Sequence, residues 1–196
     1  MREVDLRVPR HEVPRLGEII PAVEIREIKA TPALINWMET MGQNKKDITL
    51  VINSTGGEVD DLFEMKDEVD RIRGAYNVKL RTIVRGKAYS AAAYLVSWGD
   101  ERLSYPSARF YLHHPQVIFE WENGRKKKDF GEVRKSVLDM RRQERIMEKW
   151  LIKATGKPIK ELLSHYDRHL TAHEALEIGL IDRIILFNAR ERTQAN

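Results

Sequence analysis

Serine, histidine and aspartate, the residue types that perform nucleophilic hydrolysis together, occur where this sequence predicts turns and strand ends. Ser90 lies in the segment GKAYSAAA, residues 86–93, between a predicted strand and a helix of small residues. Such a turn exposes the hydroxyl, and small neighbours let a substrate approach it closely. A helix N-terminus also stabilises negative charge that develops nearby. The alternative reading is a serine that only caps its helix, which is a common role.

A serine nucleophile requires a base and a carboxylate that orients the base. Among the six histidines, His113 and His114 end a predicted strand just before Pro115, so either is a candidate base. Asp167 precedes a predicted helix and is the candidate acid; otherwise it is a loop carboxylate paired with Arg168. The sequence thus supplies all three types without deciding between the two histidines.

A pair of glycines, Gly56 and Gly57, follows the β-branched run at residues 48–52. Glycine reaches positive φ without strain and leaves backbone N–H groups uncovered. At the start of a helix such groups form an anion site. The spacing matches neither a Walker loop nor Gly-x-Gly-x-x-Gly, and a turn without function is the alternative.

Several chemistries are disfavoured by the composition. The 196 residues contain no cysteine, which excludes thiol nucleophiles, disulfides and thiolate metal sites. His165, His169 and His173 recur every fourth residue, but a capping box at Thr171 predicts that a helix begins between them. We therefore predict no metal and no cofactor.

The basic segment at residues 125–128 follows Phe119 and Trp121, a combination that would suit stacking on single-stranded nucleic acid. A charged hairpin is more often a solvated edge, and the net charge is only +4, so nucleic acid is not expected. The longest apolar run, residues 91–96, is far below the roughly 20 residues of a membrane span. The N-terminal residues lack the apolar stretch of an export signal, and we predict a cytoplasmic protein without membrane partners.

Predicted strands and helices alternate along the chain, which indicates an α/β fold with parallel pairing in one domain, residues 1–196. Strands are predicted at residues 19–28, 48–52, 78–84, 102–103, 110–112 and 181–187, with a hairpin at 117–130 turning at Asn123-Gly124. Helices are predicted from Pro32 to Gly42, Val59 to Gly74, Ala91 to Ser97, Val133 to Leu151 and Thr171 to Gly179.

Taken in order, four motifs resemble one family, the proteolytic subunit of Clp protease. They read INSTGG at residues 52–57, GKAYS at 86–90, LHHP at 112–115, and DRHLTA through GLID at 167–182. The resemblance implies an α/β fold of the ClpP/crotonase-like type, a spiral of ββα units with a protruding handle. The handle would be the hairpin and helix at residues 116–154, with an N-terminal arm at 1–18 and a polar tail at 188–196.

The resemblance also assigns roles. Ser90 would be the nucleophile, His113 the general base and Asp167 the orienting acid, while the backbone N–H groups of Gly57 and Ala91 would form the oxyanion hole. The resemblance also chooses His113 over His114; alternate side chains of a strand point to opposite faces, so only one of the two histidines could serve. The implied activity is that of a serine endopeptidase that hydrolyses peptide bonds of polypeptide substrates.

The implied assembly is a homo-oligomeric, heptameric ring, paired into a tetradecamer, and an AAA+ unfoldase partner is left open because residues 1–47 match the family poorly. Thr55 stands where the family usually has proline, and Ala91 replaces a bulkier residue. The usual glycine-rich segment after Pro115 is aromatic and basic here. These departures bear on how a substrate is aligned.

Three alternatives remain at this point. A crotonase-type acyl-CoA enzyme would share the fold and an oxyanion hole without needing the triad. A catalytically silent Clp-like subunit would be structural or regulatory. A Ser-Lys dyad would use Lys87, three residues before Ser90.

Overall fold

A mostly parallel sheet of seven strands carries the turns that hold the candidate residues. The computed structural model describes residues 21–116, 121–122, 125–126, 130–163 and 167–185. The predicted arm at 1–18, the hairpin turn at 123–124 and the polar tail at 188–196 lie outside these residues. No helix in the described ranges is both long enough and apolar enough to cross a membrane.

The strands of the main sheet are β1 (Val23–Ile25), β2 (Ile48–Ser54), β3 (Leu80–Tyr89), β4 (Glu101–Ser104), β5 (Arg109–Leu112), β8 (Arg168–Thr171) and β9 (Arg183–Ile184). The predicted first and last strands are therefore shorter than expected. Five of the seven strands follow the order β1-β2-β3-β4-β9 with parallel pairing throughout, as the alternation of strands and helices predicts. Strand β5 pairs parallel with the end of β3 and antiparallel with β8. The short strands β6 (Trp121–Glu122) and β7 (Arg125–Lys126) form the predicted antiparallel hairpin.

Helix boundaries mostly follow local capping chemistry. Thr31 accepts a hydrogen bond from Leu34 N–H at 3.3 Å and Pro32 begins the first helix, as predicted. The second helix continues through the predicted stop at Gly74 and ends at Asn77, which adopts the left-handed conformation. The helices are α1 (Pro32–Gln43), α2 (Val59–Tyr76), α3 (Ala91–Val96), α4 (Phe130–Thr155), α5 (Ile159–Leu162) and α6 (Ala172–Glu177).

Strand β3 is longer than the sequence predicts, and this difference shapes the site. It was expected to end at Val84 and turn at Gly86, yet it continues to Tyr89. Residues 81–84 pair with β4, whereas residues 87–89 pair with β5. Gly86 allows this because a Cβ there would lie only 2.5 Å from Asn53 Oδ1 near the end of β2. The switch of partner brings the end of β5 alongside the end of β3.

Helix α4, the predicted handle helix, is packed at one end only. Met147 and Leu151 are buried against the core, and the Trp150 ring lies 5.5 Å from that of Trp98. Nearer its start, Leu138 is 55% exposed. The C-terminal half of α4 therefore belongs to the core, while its earlier turns stand away from it.

Candidate active site

Ser90 occupies a strained turn between β3 and α3. Its backbone has φ 54° and ψ −128°, a region that non-glycine residues avoid at a cost of about 1–3 kcal/mol. The turn is held because Ser90 N–H donates to the Tyr111 carbonyl at 2.9 Å and Ala93 N–H donates to the Ser90 carbonyl at 2.9 Å. The serine does not cap the helix with its side chain, which removes the simplest non-catalytic reading of this residue.

The glycine turn after β2 lies directly against the serine turn. Gly56 has φ +108°, and a Cβ on it would lie 2.7 Å from Ser90 Cβ and 3.2 Å from Ala91 N. Only glycine fits so close an approach. The turn is braced by Gly56 N–H, which donates to Ser54 Oγ at 3.1 Å. Neither Gly57 N–H nor Ala91 N–H donates to any of the described residues, so both stay available to an oxyanion.

His113 reaches Ser90 from the end of β5. Its Nε2 lies 2.7 Å from Ser90 Oγ, and its Nδ1 lies 2.7 Å from the carbonyl oxygen of His114. A carbonyl only accepts, so Nδ1 must carry the proton of a neutral imidazole and Nε2 must accept from the serine hydroxyl. This is the tautomer that a general base needs, and the main chain alone selects it.

Two tyrosines hold His113 in place. The Tyr94 hydroxyl, which lies in the small-residue helix α3, donates to the His113 carbonyl at 3.1 Å. The Tyr111 ring stacks on the imidazole with its centroid 5.0 Å away and an interplanar angle of 27°. Burial raises the pKa of the Tyr94 hydroxyl, and the negative charge of Glu144 and Glu148 acts in the same direction. Tyr94 is therefore a dependable donor.

Asp167 lies near the histidine but bonds to a different residue. Its carboxylate lies beside the Tyr111 hydroxyl, and this interaction, with burial and the charge of Asp167, raises the pKa of Tyr111. No hydrogen bond joins Asp167 to His113 among the described residues. Tyr111, which also stacks on His169 at 4.3 Å, thus lies between the predicted acid and the predicted base. The structure brings Ser90 and His113 into contact, whereas the side chain of Tyr111 separates Asp167 from His113.

Sequence reasoning did not single out Tyr111. The signal was present, because Tyr111 lies on β5 two positions before His113, which follows the end of that strand, and extended backbone places both side chains on one face. His114 points elsewhere, and its Nδ1 lies 2.6 Å from Glu144 Oε1 on α4. Next to it, burial raises the pKa of the Glu148 carboxyl, and the charge of Glu144 adds to the effect. This second polar cluster was not predicted either.

The other candidates do not meet at the serine. Lys87 lies on β3 opposite Arg109, and no hydrogen bond joins it to Ser90 in the described part of the chain. His169 is on β8 and His173 is on α6, so the predicted break in that histidine series is confirmed; His165 lies outside the described residues. The basic hairpin residues at 127–128 and Phe119 also lie outside them. The capping box of Thr171 and Glu174 that marks the break is present in full.

A mostly parallel α/β fold with a serine on a strained strand-to-helix turn and a histidine on its hydroxyl defines a serine hydrolase. The family model described as Clp protease matches residues 23–187. The chain therefore belongs to the Clp protease family, as the four motifs indicate, and is a serine peptidase with the fold of that family.

Individual relatives agree with this assignment. An ATP-dependent Clp protease proteolytic subunit 1 of Tropheryma whipplei (strain Twist) is 30% identical over 169 residues, covering 84% of this chain and 77% of the relative. The subunit 1 of Corynebacterium glutamicum is 31% identical over 181 residues, covering 90% and 80%. The subunit 1 of Rhodococcus jostii (strain RHA1) is 33% identical over 144 residues, covering 71% and 61%.

Proposed function

We propose that this chain is an endopeptidase that cleaves unfolded polypeptides or peptides with Ser90, His113 and Asp167 as its triad. The observation that carries the proposal is the 2.7 Å contact between Ser90 Oγ and His113 Nε2 in the tautomer that accepts a proton. His113 takes the hydroxyl proton as Ser90 attacks the peptide carbonyl. The imidazolium then gives that proton to the leaving amine, and water releases the acyl-enzyme by the reverse transfer.

The oxyanion of the tetrahedral intermediate is assigned to the N–H groups of Gly57 and Ala91. Both groups lack acceptors among the described residues, and the close fit of Gly56 against Ser90 keeps the two turns together. A single donor of this kind is worth about 3–4 kcal/mol of transition-state stabilisation. Ala91 has a small side chain, so the space beside its N–H stays free for substrate.

Asp167 acts when it replaces the His114 carbonyl as the partner of His113 Nδ1. The carboxylate lies beside Tyr111, whose ring stacks on the imidazole, so one side chain separates it from the base. A carboxylate stabilises the imidazolium that forms in the reaction, whereas a neutral carbonyl does so less. The arrangement with Asp167 on Tyr111 is thus a resting form of the site.

The working unit in this proposal is a ring of seven chains, with two rings stacked, in the cytoplasm. The exposed Leu138 and the unpacked first turns of α4 supply an apolar surface that contact with another chain would bury. The relatives are named ATP-dependent, which supports an ATP-driven unfoldase as partner. Native mass measurement tests the ring, and a monomer at working concentration contradicts it.

Labelling by a fluorophosphonate probe tests the nucleophile. We expect the wild type and Ser136→Ala to be labelled and Ser90→Ala to be unlabelled, because Ser136 is a partly exposed serine on α4 far along the chain from the site. Labelling of Ser90→Ala would refute the assignment. Cleavage of a peptide library tests the base, and we expect cleavage by the wild type but not by His113→Ala. A wild type that reacts with the probe without cleaving peptides would favour the silent-subunit alternative.

A further inference from the structure

A second cluster of polar groups lies on the other side of the segment that carries His113. The His114 side chain contacts Glu144 through Nδ1 and Oε1 at 2.6 Å, and Glu148 follows one helical turn later on α4. One ligand atom from each of the three residues lies within 4.8 Å of the other two. The contact joins residues 30 positions apart, so the fold and not a local motif creates the cluster.

The cluster holds two carboxylates, and only that of Glu144 has a hydrogen-bond partner among the described residues. Glu144 and Glu148 are neighbours on one face of the helix, where like charges repel. Within the described residues, Glu148 has no hydrogen-bond partner; Arg145 and His114 act on it only through their charge. The side chains of His114 and Glu144 are 44% and 25% exposed, so an ion from solvent has access to them.

We propose that His114, Glu144 and Glu148 bind one divalent transition-metal ion of the Zn²⁺ class, which ties the end of β5 to α4. One imidazole and two carboxylates form a nitrogen and oxygen ligand set that Zn²⁺ accepts, with water as a fourth ligand. Tetrahedral ligands about 2.0–2.1 Å from zinc lie about 3.3 Å from each other. Ligand atoms that start within 4.8 Å of one another differ from that spacing by about 1.5 Å or less.

The site would act on catalysis through the main chain, and this step rests on the proposed function. The carbonyl of His114 is the acceptor for His113 Nδ1 in this structure. An ion bound to the His114 side chain holds that residue in place. Its carbonyl then stays on His113 Nδ1, the atom that Asp167 would have to bind. Bound metal therefore favours the resting form and lowers the rate of acylation of Ser90.

Calorimetric titration of the full, chelator-treated protein with ZnCl₂ tests the site without relying on activity. We expect one ion per chain for the wild type and an affinity weakened by about tenfold or more in Glu148→Gln, which loses one of three ligands. Asp139→Asn, a matched change of an exposed acid on α4, is expected to bind as the wild type does. Absence of binding, or equal affinity in wild type and Glu148→Gln, overturns the proposal.

Two further measurements separate this site from the serine–histidine pair. His113→Ala is expected to keep the ion, and Co²⁺ is expected to give the same visible absorption in it as in the wild type; loss of binding there would place the metal on the catalytic histidine and overturn the proposal. Zn²⁺ is expected to slow fluorophosphonate labelling of wild type but not of Glu148→Gln. Equal slowing in both would refute the main-chain coupling, and failure of all labelling would count against the proposed function while calorimetry still decides the metal site.

Discussion

The contact between the glycine turn and the nucleophile turn offers the sharpest test of how this site is built. Replacing Gly56 with alanine places a Cβ 2.7 Å from Ser90 Cβ and 2.8 Å from the Tyr89 carbonyl, whereas ordinary contact begins at 3.4 Å. The turns must separate by about 0.7 Å, and the alanine must also adopt φ +108°. Backbone strain of that kind costs about 1–3 kcal/mol.

The predicted effect on activity follows from the same displacement. A misplacement of about 1 Å at a reacting group costs on the order of 100-fold in rate, so a shift of about 0.7 Å predicts a loss of about tenfold or more. The loss would appear as slower fluorophosphonate labelling of Ser90 and as slower peptide cleavage. Denaturant unfolding at fixed protein concentration would show the loss of stability separately.

Gly74→Ala is the matched control. Gly74 lies within helix α2, and a Cβ there would meet nothing within 4 Å. The change is expected to stabilise the protein by about 0.5–1 kcal/mol because alanine is the better helix former, and to leave labelling unchanged. If Gly56→Ala matched this control in stability and labelling rate, the close packing of the two turns would not be what positions Ser90.

Three other perturbations have defined outcomes. Asp167→Asn is expected to slow peptide cleavage by about 10³–10⁴-fold if the aspartate orients the base, and equal rates for Asp167→Asn and wild type would exclude the triad role. Tyr111→Phe, which removes the hydroxyl beside Asp167 and keeps the stacked ring, is expected to cleave at least as fast as wild type. Leu151 is fully buried, and Leu151→Ala is expected to lower the free energy of unfolding by about 2–5 kcal/mol. Leu138→Ala is expected to shift the native mass towards smaller assemblies and to change the unfolding of the single chain little. A hydrogen bond from Thr171 N–H lowers the pKa of the Glu174 carboxyl, so the ionised carboxylate stabilises the fold at pH values above its unfolded pKa of about 4.3. This stabilisation is lost as the pH falls through the folded pKa. A Glu174→Gln variant should therefore show a weaker loss of thermal midpoint in acid, and identical acid profiles would contradict this.

Local patterns were sufficient for much of the fold. Thr31 and Pro32 start a helix, and the box of Thr171 and Glu174 starts another, as predicted, because each cap satisfies backbone groups within four residues. The parallel α/β class followed from alternating strand and helix periods. Boundaries were less secure, since α2 runs past Gly74 to a left-handed Asn77.

The candidate site was predicted in part. Turn glycines, a serine before small residues and a histidine before proline are short-range signals, and the structure brings Ser90 to His113 at 2.7 Å. That Asp167 would lie beside Tyr111 could not be predicted, because it depends on the antiparallel register of β8 on β5. The roles of Asp167, Gly57 and Ala91 remain proposals for the experiments above.

By itself, the sequence determined the elements, the chemistry-bearing residues and the absence of thiols, since these depend on composition and on neighbours a few positions apart. Only the tertiary structure decided which of those residues meet. The partner switch of β3 from β4 to β5 places His113 on Ser90, and the packing of α4 places Glu144 on His114. Such contacts join distant parts of the chain through strand pairing and helix packing, which no local pattern encodes.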